Sequence, residues 1–301
     1  MSMQFRRMSP AMWRYHAPGP ASCPGPGACP GLGAGPGRTY VLVPFAGGGA
    51  HSLADWLPVL MRPGDTAFLV QYPGRGPRAA EPFPATLAEL ADEAAGALER
   101  FASGAPILIG HSMGAVLAYE MARRLEPAGR TVPLLVVSGS RPPHRIDLDP
   151  AQLGRCPTEE WVRLMRADGF AGTDQMPPDL LVEAVASLRS DCLLVARYAR
   201  MVQARAAGPP RRPAPGPAVG CRLLVLGGAA DAGVPVEQLR EWAAVTTGPA
   251  DTCLFPGGHF YYRDHLADVG RLIERTLAGT GTGTGTGIAT EPRPVSPPPA
   301  R

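Results

Sequence analysis

The sequence predicts an α/β fold: a mostly parallel central sheet with helices on both faces. Two features carry that prediction. Short apolar runs closed by Gly or Pro recur along the chain, and helical patterns lie between them. Parallel neighbours need helix-length crossovers, so this alternation builds a parallel sheet. A third feature is where the alternation stops. Residues 145 to 206 carry two helical segments with no strand between them.

The apolar runs are "TYVLVPF" from residue 39, "AFLVQY" from 67, "ILIG" from 107, "PLLVVSG" from 133, "RLLVLGG" from 222 and "TCLFPGG" from 252. Their nearly unbroken hydrophobicity suits strands buried on both faces. Helical periodicity covers 85–101, 113–126, 235–245 and 262–278. The break contains "TEEWVRLMRADGF" and "PDLLVEAVASLRSDCLLVARYA". An all-helical insertion at about 145–206, between two strands, is a candidate lid. The domain proper is expected over 39–278. Residues 1–38 read as an N-terminal extension whose Pro/Gly/Ala stretch, 17–37, has too little apolar surface to fold. A Pro-rich loop is expected at 206–220, and a disordered Gly/Thr/Pro tail at 279–301.

Composition narrows the function. A chain of 301 residues can bury one large core. The net charge of +3 is too small and too dispersed to point to nucleic acid. Lysine and asparagine are both absent. Without lysine there is no P-loop lysine, no Schiff base for pyridoxal phosphate and no Ser–Lys pair. The cysteines, Cys23, Cys29, Cys156, Cys192, Cys221 and Cys253, include no C-x-x-C pair. They read as free thiols in a reducing compartment. No apolar run approaches the ~20 residues of a membrane span, and the N-terminus lacks the apolar stretch of a signal peptide. A cytoplasmic location with no membrane partner is the expectation.

One short stretch carries the chemistry. Gly110-His111-Ser112-Met113-Gly114 follows the run "ILIG" and opens a helical pattern. This is the G-x-S-x-G nucleophile elbow in its confirming context, a strand–turn–helix, and it specifies an α/β-hydrolase fold. Ser112 is the candidate nucleophile, and the Met113 N–H, at a helix start, a candidate oxyanion donor. A serine hydroxyl needs a base. In this fold the order is Ser, then Asp or Glu, then His. His259 follows "LFPGG" on a loop at a strand's C-terminal end and is the candidate base; His265 falls within the following helix. The acid orients the imidazole. Asp231 follows the strand "CRLLVLGG"; Asp147 follows the preceding strand and is the second candidate, while Asp251 begins a strand at the opposite edge. The second oxyanion donor should come from the loop after the first strand of the domain. That loop is "PFAGGGA", residues 44–50, with Ala46 as the candidate and Gly47 as its neighbour.

With these residues in hand, the chain resembles the type II thioesterases, discrete α/β-hydrolases that accompany modular polyketide and nonribosomal peptide synthases. "PFAGGGA" resembles the family's P-x-A-G-G-[GS]-A loop, and "QYPGRGPR" its P-G-R-G-x-R signature. "GHSMGAVLAYEMARRL" resembles its elbow and following helix. "SGSRPPH", "SLRSDCLLVARY" and "FPGGHFYY" fall where the family has similar runs, and "MWRYHAPGP" resembles its opening. The chain departs from the pattern in its longer Pro-rich tract and both tails, and "GGAADAG" has one acid where many relatives have two.

The resemblance carries the family's nucleophile, acid and base onto Ser112, Asp231 and His259, and its oxyanion donors onto Ala46 and Met113. It implies a substrate held as an acyl thioester on the phosphopantetheine arm of an acyl or peptidyl carrier protein. It implies hydrolytic editing of misprimed or stalled synthases by a monomer that needs no metal and no cofactor of its own. Carrier proteins are acidic near the modified serine, so Arg75 and Arg78 could contact the carrier; the plainer expectation is that they brace their own loop. A carboxylesterase or lipase would share the elbow, acid, base and oxyanion loop. A non-catalytic binding module would be expected to lack one of them. A chain with no carrier domain is not expected to release or cyclise a finished product.

Overall fold

The computed structural model describes residues 5–17, 37–170, 172–206, 218–279 and 287–288. In chain order the strands are β1 Phe5–Ser9, β2 Met12–His16, β3 Thr39–Val43, β4 Thr66–Val70, β5 Pro106–His111, β6 Leu134–Ser138, β7 Arg222–Gly228, β8 Ala250–Phe255 and β9 Gly287–Ile288. The helices are α1 Leu57–Leu60, α2 Leu87–Phe101, α3 Met113–Leu125, α4 Pro150–Arg155, α5 Thr158–Ala167, α6 Pro178–Ala206, α7 Val236–Arg240 and α8 Tyr262–Leu277.

The strands form one sheet in the order β1-β2-β4-β3-β5-β6-β7-β8-β9. From β4 to β9 every pairing is parallel. This is the α/β-hydrolase arrangement the elbow specified. The six apolar runs became β3 to β8. Alternate side chains of each run enter opposite layers, because successive residues of a strand face opposite ways. Val41, Val43, Leu108, Leu135 and Val225 pack with α2, α3 and the middle of α6. Leu42, Leu69, Ile109, Val136 and Leu226 pack with Trp56, Leu57, Val269 and Ile273. Each such side chain contributes roughly 1.5–3 kcal/mol by leaving water.

Local signals set the helix starts. Thr86 caps α2 by accepting from the Glu89 N–H at 3.1 Å, and the Glu89 carboxylate accepts in return from the Thr86 N–H at 3.3 Å. That reciprocal pair satisfies two amides the helix cannot. Helix α3 is buried along almost its whole length. Its Glu120 ties the insertion to the core, accepting from Tyr198 of α6 and from Arg124 at 2.7 Å. Burial alone would raise this carboxyl, but bonds from Tyr198, Arg124 and Arg123 hold it below the usual carboxylate range.

The structure differs from the sequence reading at the termini. Residues 5–16, assigned to the extension 1–38, form a hairpin that extends the sheet. β2 pairs antiparallel with β4, with Met12 opposite Val70 and His16 opposite Thr66. The two strands are short and half exposed, so they carry little of the period-two signal. The stretch 17–37 lies, but for its ends, outside the described residues, as does most of 206–220. Of the tail 279–301, Gly279 and the pair Gly287–Ile288 are described, the pair as a parallel partner of β8.

Candidate active site

The register aligns the C-terminal ends of the parallel strands. Val43 lies opposite Gly110, His111 opposite Ser138, and Gly228 opposite Phe255. The loops after β3, β5, β7 and β8 therefore leave from one edge, where open α/β sheets gather their sites. Those loops carry Ala46, Ser112, Asp231 and His259.

Ser112 sits at φ 55°, ψ −121°, and is the one non-glycine with positive φ among the described residues. Such a conformation is costly and persists only where the surroundings enforce it. Enforcement comes from both sides. The Ser112 N–H donates to Ser138 O at 2.8 Å, extending the β5–β6 ladder into the turn. A Cβ on Gly110 would lie 2.0 Å from Gly114 O, and a Cβ on Gly114 2.0 Å from Val43 O. The flanking glycines are there because helix α3 meets two strands at backbone contact. At the start of α3, Met113 has an amide with no intrahelical acceptor.

His259 Nδ1 lies 2.7 Å from Asp231 Oδ2. A carboxylate only accepts, so Nδ1 carries the proton and Nε2 is left as the basic nitrogen. The other Asp231 oxygen accepts from the Gly233 N–H at 2.9 Å, which fixes the carboxylate within its own turn. The Asp231 side chain is 4 % exposed. Asp147 lines the same cavity but makes no hydrogen bond to His259 among the described residues. Asp251 lies on β8, 3.7 Å from Arg222. His265 Nε2 donates to Pro256 O, 3.1 Å away, within its own segment.

Ala46, Ser112, Met113, Asp231 and His259 all line one cavity of about 310 Å³. Of the loop amides after β3, four are already taken. Gly47 donates to Asp191 Oδ2 at 2.7 Å, Gly48 to Phe45 O at 2.9 Å, Gly49 to Ser52 Oγ at 2.9 Å and Ala50 to Gln71 Oε1 at 2.9 Å. Among the described residues the Ala46 N–H, like that of Phe45, has no protein acceptor, and Ala46 is the one of the two that lines the cavity. The choice between Ala46 and Gly47 thus turns on Asp191, which the sequence reading did not single out.

The cavity holds further groups. Cys192 lines it, with its thiol pushed up to about 12 by burial first and then by the charges of Asp191 and Asp168. Asp168 also lines it, its carboxyl raised chiefly by desolvation and further by Asp231, against the opposing pull of His259. Behind the site, His111 is fully buried, with its ring centroid 4.9 Å from that of His259. Its Nδ1 is 2.9 Å from Ser138 Oγ, which is 2.7 Å from the Tyr261 hydroxyl. Burial, then the neighbouring His259 and Arg263, hold His111 well below the usual histidine range, so it is neutral.

Arg75 and Arg78 are both buried. Arg78 chelates Glu81 and Glu93 and donates to Gln71 O at 3.0 Å. Arg75 donates to Asp191, to Gly48 O at 3.2 Å and to Pro73 O at 3.3 Å. Their guanidiniums are spent on the fold, not presented as a surface. The described cysteines, Cys156, Cys192, Cys221 and Cys253, are free thiols; Cys23 and Cys29 lie outside the described residues. Among the described residues no group of three or more side chains is placed to hold a metal ion, and no helix is long and apolar enough to cross a membrane.

A family model for the thioesterase domain matches residues 38–277, most of the chain. The chain belongs to the thioesterase domain family. Among individual members, this thioesterase-domain chain is 33 % identical over 239 residues to a probable cadicidin biosynthesis thioesterase of Streptomyces griseus, covering 79 % of this chain and 62 % of that protein. It is 32 % identical to thioesterase PikA5 of Streptomyces venezuelae, covering 76 % of this chain and 77 % of that one. It therefore spans somewhat under two thirds of the first relative's length and about three quarters of the second's. Among solved structures it superposes on the type II thioesterase BorB from the borrelidin biosynthetic cluster with a TM-score of 0.71. That match has 28 % identity and covers 90 % of this chain and 99 % of the other.

Proposed function

We propose that this protein hydrolyses acyl thioesters carried on the phosphopantetheine arm of acyl or peptidyl carrier proteins, and so edits polyketide or nonribosomal peptide synthases. The observation that carries it is the His259–Asp231 hydrogen bond of 2.7 Å, in one cavity with a strained elbow serine, in a member of the thioesterase domain family. Its relatives' names, as biosynthesis thioesterases, support the carrier-bound substrate.

The chemistry follows from the groups. His259 Nε2 accepts the Ser112 proton as Oγ attacks the thioester carbonyl. The Ala46 and Met113 amides stabilise the oxyanion, usually the largest single contribution in acyl transfer. Collapse breaks the C–S bond, and His259 returns the proton to the leaving thiolate. Water then attacks the acyl-serine and gives its proton to His259, which passes it to Ser112 Oγ. The products are a carboxylic acid and the free pantetheine thiol. Asp231 stays ionised throughout and favours the imidazolium at each step. No step calls on a metal or a cofactor of the protein's own. A cytoplasmic monomer working on a separate carrier suits this chemistry.

The test is a three-way comparison: one acyl group on a carrier protein, on a small thiol, and as an oxygen ester. The highest kcat/KM on the acyl carrier supports editing. Fastest turnover of the oxygen ester, with no gain from the carrier, would make the protein a carboxylesterase.

A further inference from the structure

Asp191 lies midway along α6, with none of its surface exposed. It is the junction of three separate segments. From the loop after β4, Arg75 grips it with both terminal nitrogens, Nη2 donating to Oδ1 at 2.7 Å and Nη1 to Oδ2. From the loop after β3, the Gly47 N–H donates to Oδ2 at 2.7 Å. Arg75 Nη1 also donates to Gly48 O at 3.2 Å.

The loop after β3 is itself a β-turn. Gly48 N–H donates to Phe45 O at 2.9 Å, and Gly47, third in the turn, has φ +79° while Ala46, second, has no positive φ. That is the type II pattern. Types I and II differ by a flip of the middle peptide, here Ala46–Gly47. Its N–H points at Asp191. In the flipped turn a carbonyl oxygen would replace that N–H beside a buried carboxylate, which is repulsive. Asp191 therefore selects the type II form, and Arg75, paired to both carboxylate oxygens, is its buried partner.

We propose that Asp191 is a positioning residue: by taking the Gly47 N–H it keeps that amide out of the cavity and anchors the turn one peptide beyond the Ala46 amide, so that the Ala46 N–H keeps its place at the site, with Arg75 as counter-ion. The proposal rests on the hydrolase function proposed above. Stability alone is a weak reason for such a pair, since a buried ion pair often contributes no more than well-packed apolar residues of the same volume. The arrangement has a further consequence. Asp191 belongs to the helical insertion, so the turn is set only while α6 is seated.

Asp191→Asn tests this. It preserves shape but removes the charge and weakens the hold on the Gly47 N–H. Four quantities are read: kcat and KM on an acyl N-acetylcysteamine thioester, affinity for an alkyl boronic acid, and the melting temperature. The boronate adds to Ser112 as a tetrahedral adduct and so reports on the oxyanion position. Displacing one donor should lower kcat about 10- to 100-fold, with little change in KM, and weaken boronate binding by a similar factor. Arg75→Lys, which keeps the charge but loses the two-pronged grip, should show a smaller loss in the same two quantities. If Asp191→Asn does not fold, Arg75→Lys carries the test. A lower melting temperature with unchanged kcat and boronate affinity would overturn the positioning role. A wild-type protein inert towards thioesters would instead sink the proposed function, and the boronate comparison would still decide about Asp191.

Discussion

The sheet edge and the helical insertion that faces it are built on different principles. At the edge, position is dictated by backbone. Gly110 and Gly114 touch other main-chain atoms, Ser112 is held at positive φ, and the turn closes through the Ser112–Ser138 ladder bond. In the insertion, position is dictated by a few side chains. Tyr198 meets Glu120, Asp191 meets Arg75, and the start of α6 leaves Leu180 53 % and Val182 60 % exposed. A backbone-dictated site tolerates almost no substitution but needs no distant partner. A side-chain-dictated one tolerates change along most of its length and fails at single contacts. The two regions meet where Asp191 takes the Gly47 amide.

Substitutions should separate the two. The largest effect on rate is expected at a side chain of the edge. Asp231→Asn should lower kcat about 10⁴-fold, because the amide stabilises the wrong imidazole tautomer. Asp147→Asn, measured beside it, should cost far less; the reverse order would move the acid to Asp147. Next come paired glycine changes read by urea denaturation. Gly110→Ala forces a Cβ to 2.0 Å from a backbone oxygen, and should destabilise by about 3 kcal/mol or more. Gly154→Ala, in α4 of the insertion, meets nothing within 4 Å, and should stabilise by up to about 1 kcal/mol. Similar losses at both positions would dissolve the contrast.

The smallest effect is a pH dependence. His111 is held neutral in the fold, well below its ordinary value. Above about pH 6.5 folded and unfolded chains are both neutral there and the residue contributes nothing. As pH falls, the unfolded chain takes up a proton that the folded one refuses. Stability is then lost by at most about 1.4 kcal/mol per pH unit. Unfolding between pH 7.5 and 5 should therefore be steeper in pH for the wild type than for His111→Gln. Equal slopes would mean that His111 is protonated in the fold.

The same contrast explains what could be read from sequence. All six strands from β3 to β8 were legible, because burial on both faces writes continuous apolar runs, and so were the long helices α2, α3 and α8; the four-residue α1 was too short to show a period. The elbow was legible because its glycines follow from local backbone contact. The hairpin β1–β2 was not, since its two five-residue strands lie on a half-exposed edge and their arginines give no sustained alternation. Nor was the Asp191–Arg75 pair, whose members are 116 residues apart. A signal existed: Leu188, Asp191 and Val195 share one face of a helix, which places a carboxylate on an apolar stripe that demands a buried cation. The candidate cations included Arg75, but only the fold brings the two together.

The central claim, that the backbone-dictated elbow presents Ser112 as the nucleophile, has a direct test. The protein is mixed with an acyl thioester, quenched within one turnover, digested, and the acylated peptide sequenced by mass spectrometry. The expected result is one acyl group per chain, on Ser112, formed far more slowly in Asp231→Asn and absent from Ser112→Ala. Acylation of Cys192, whose thiol lines the same cavity, or turnover that persists in Ser112→Ala, would contradict it.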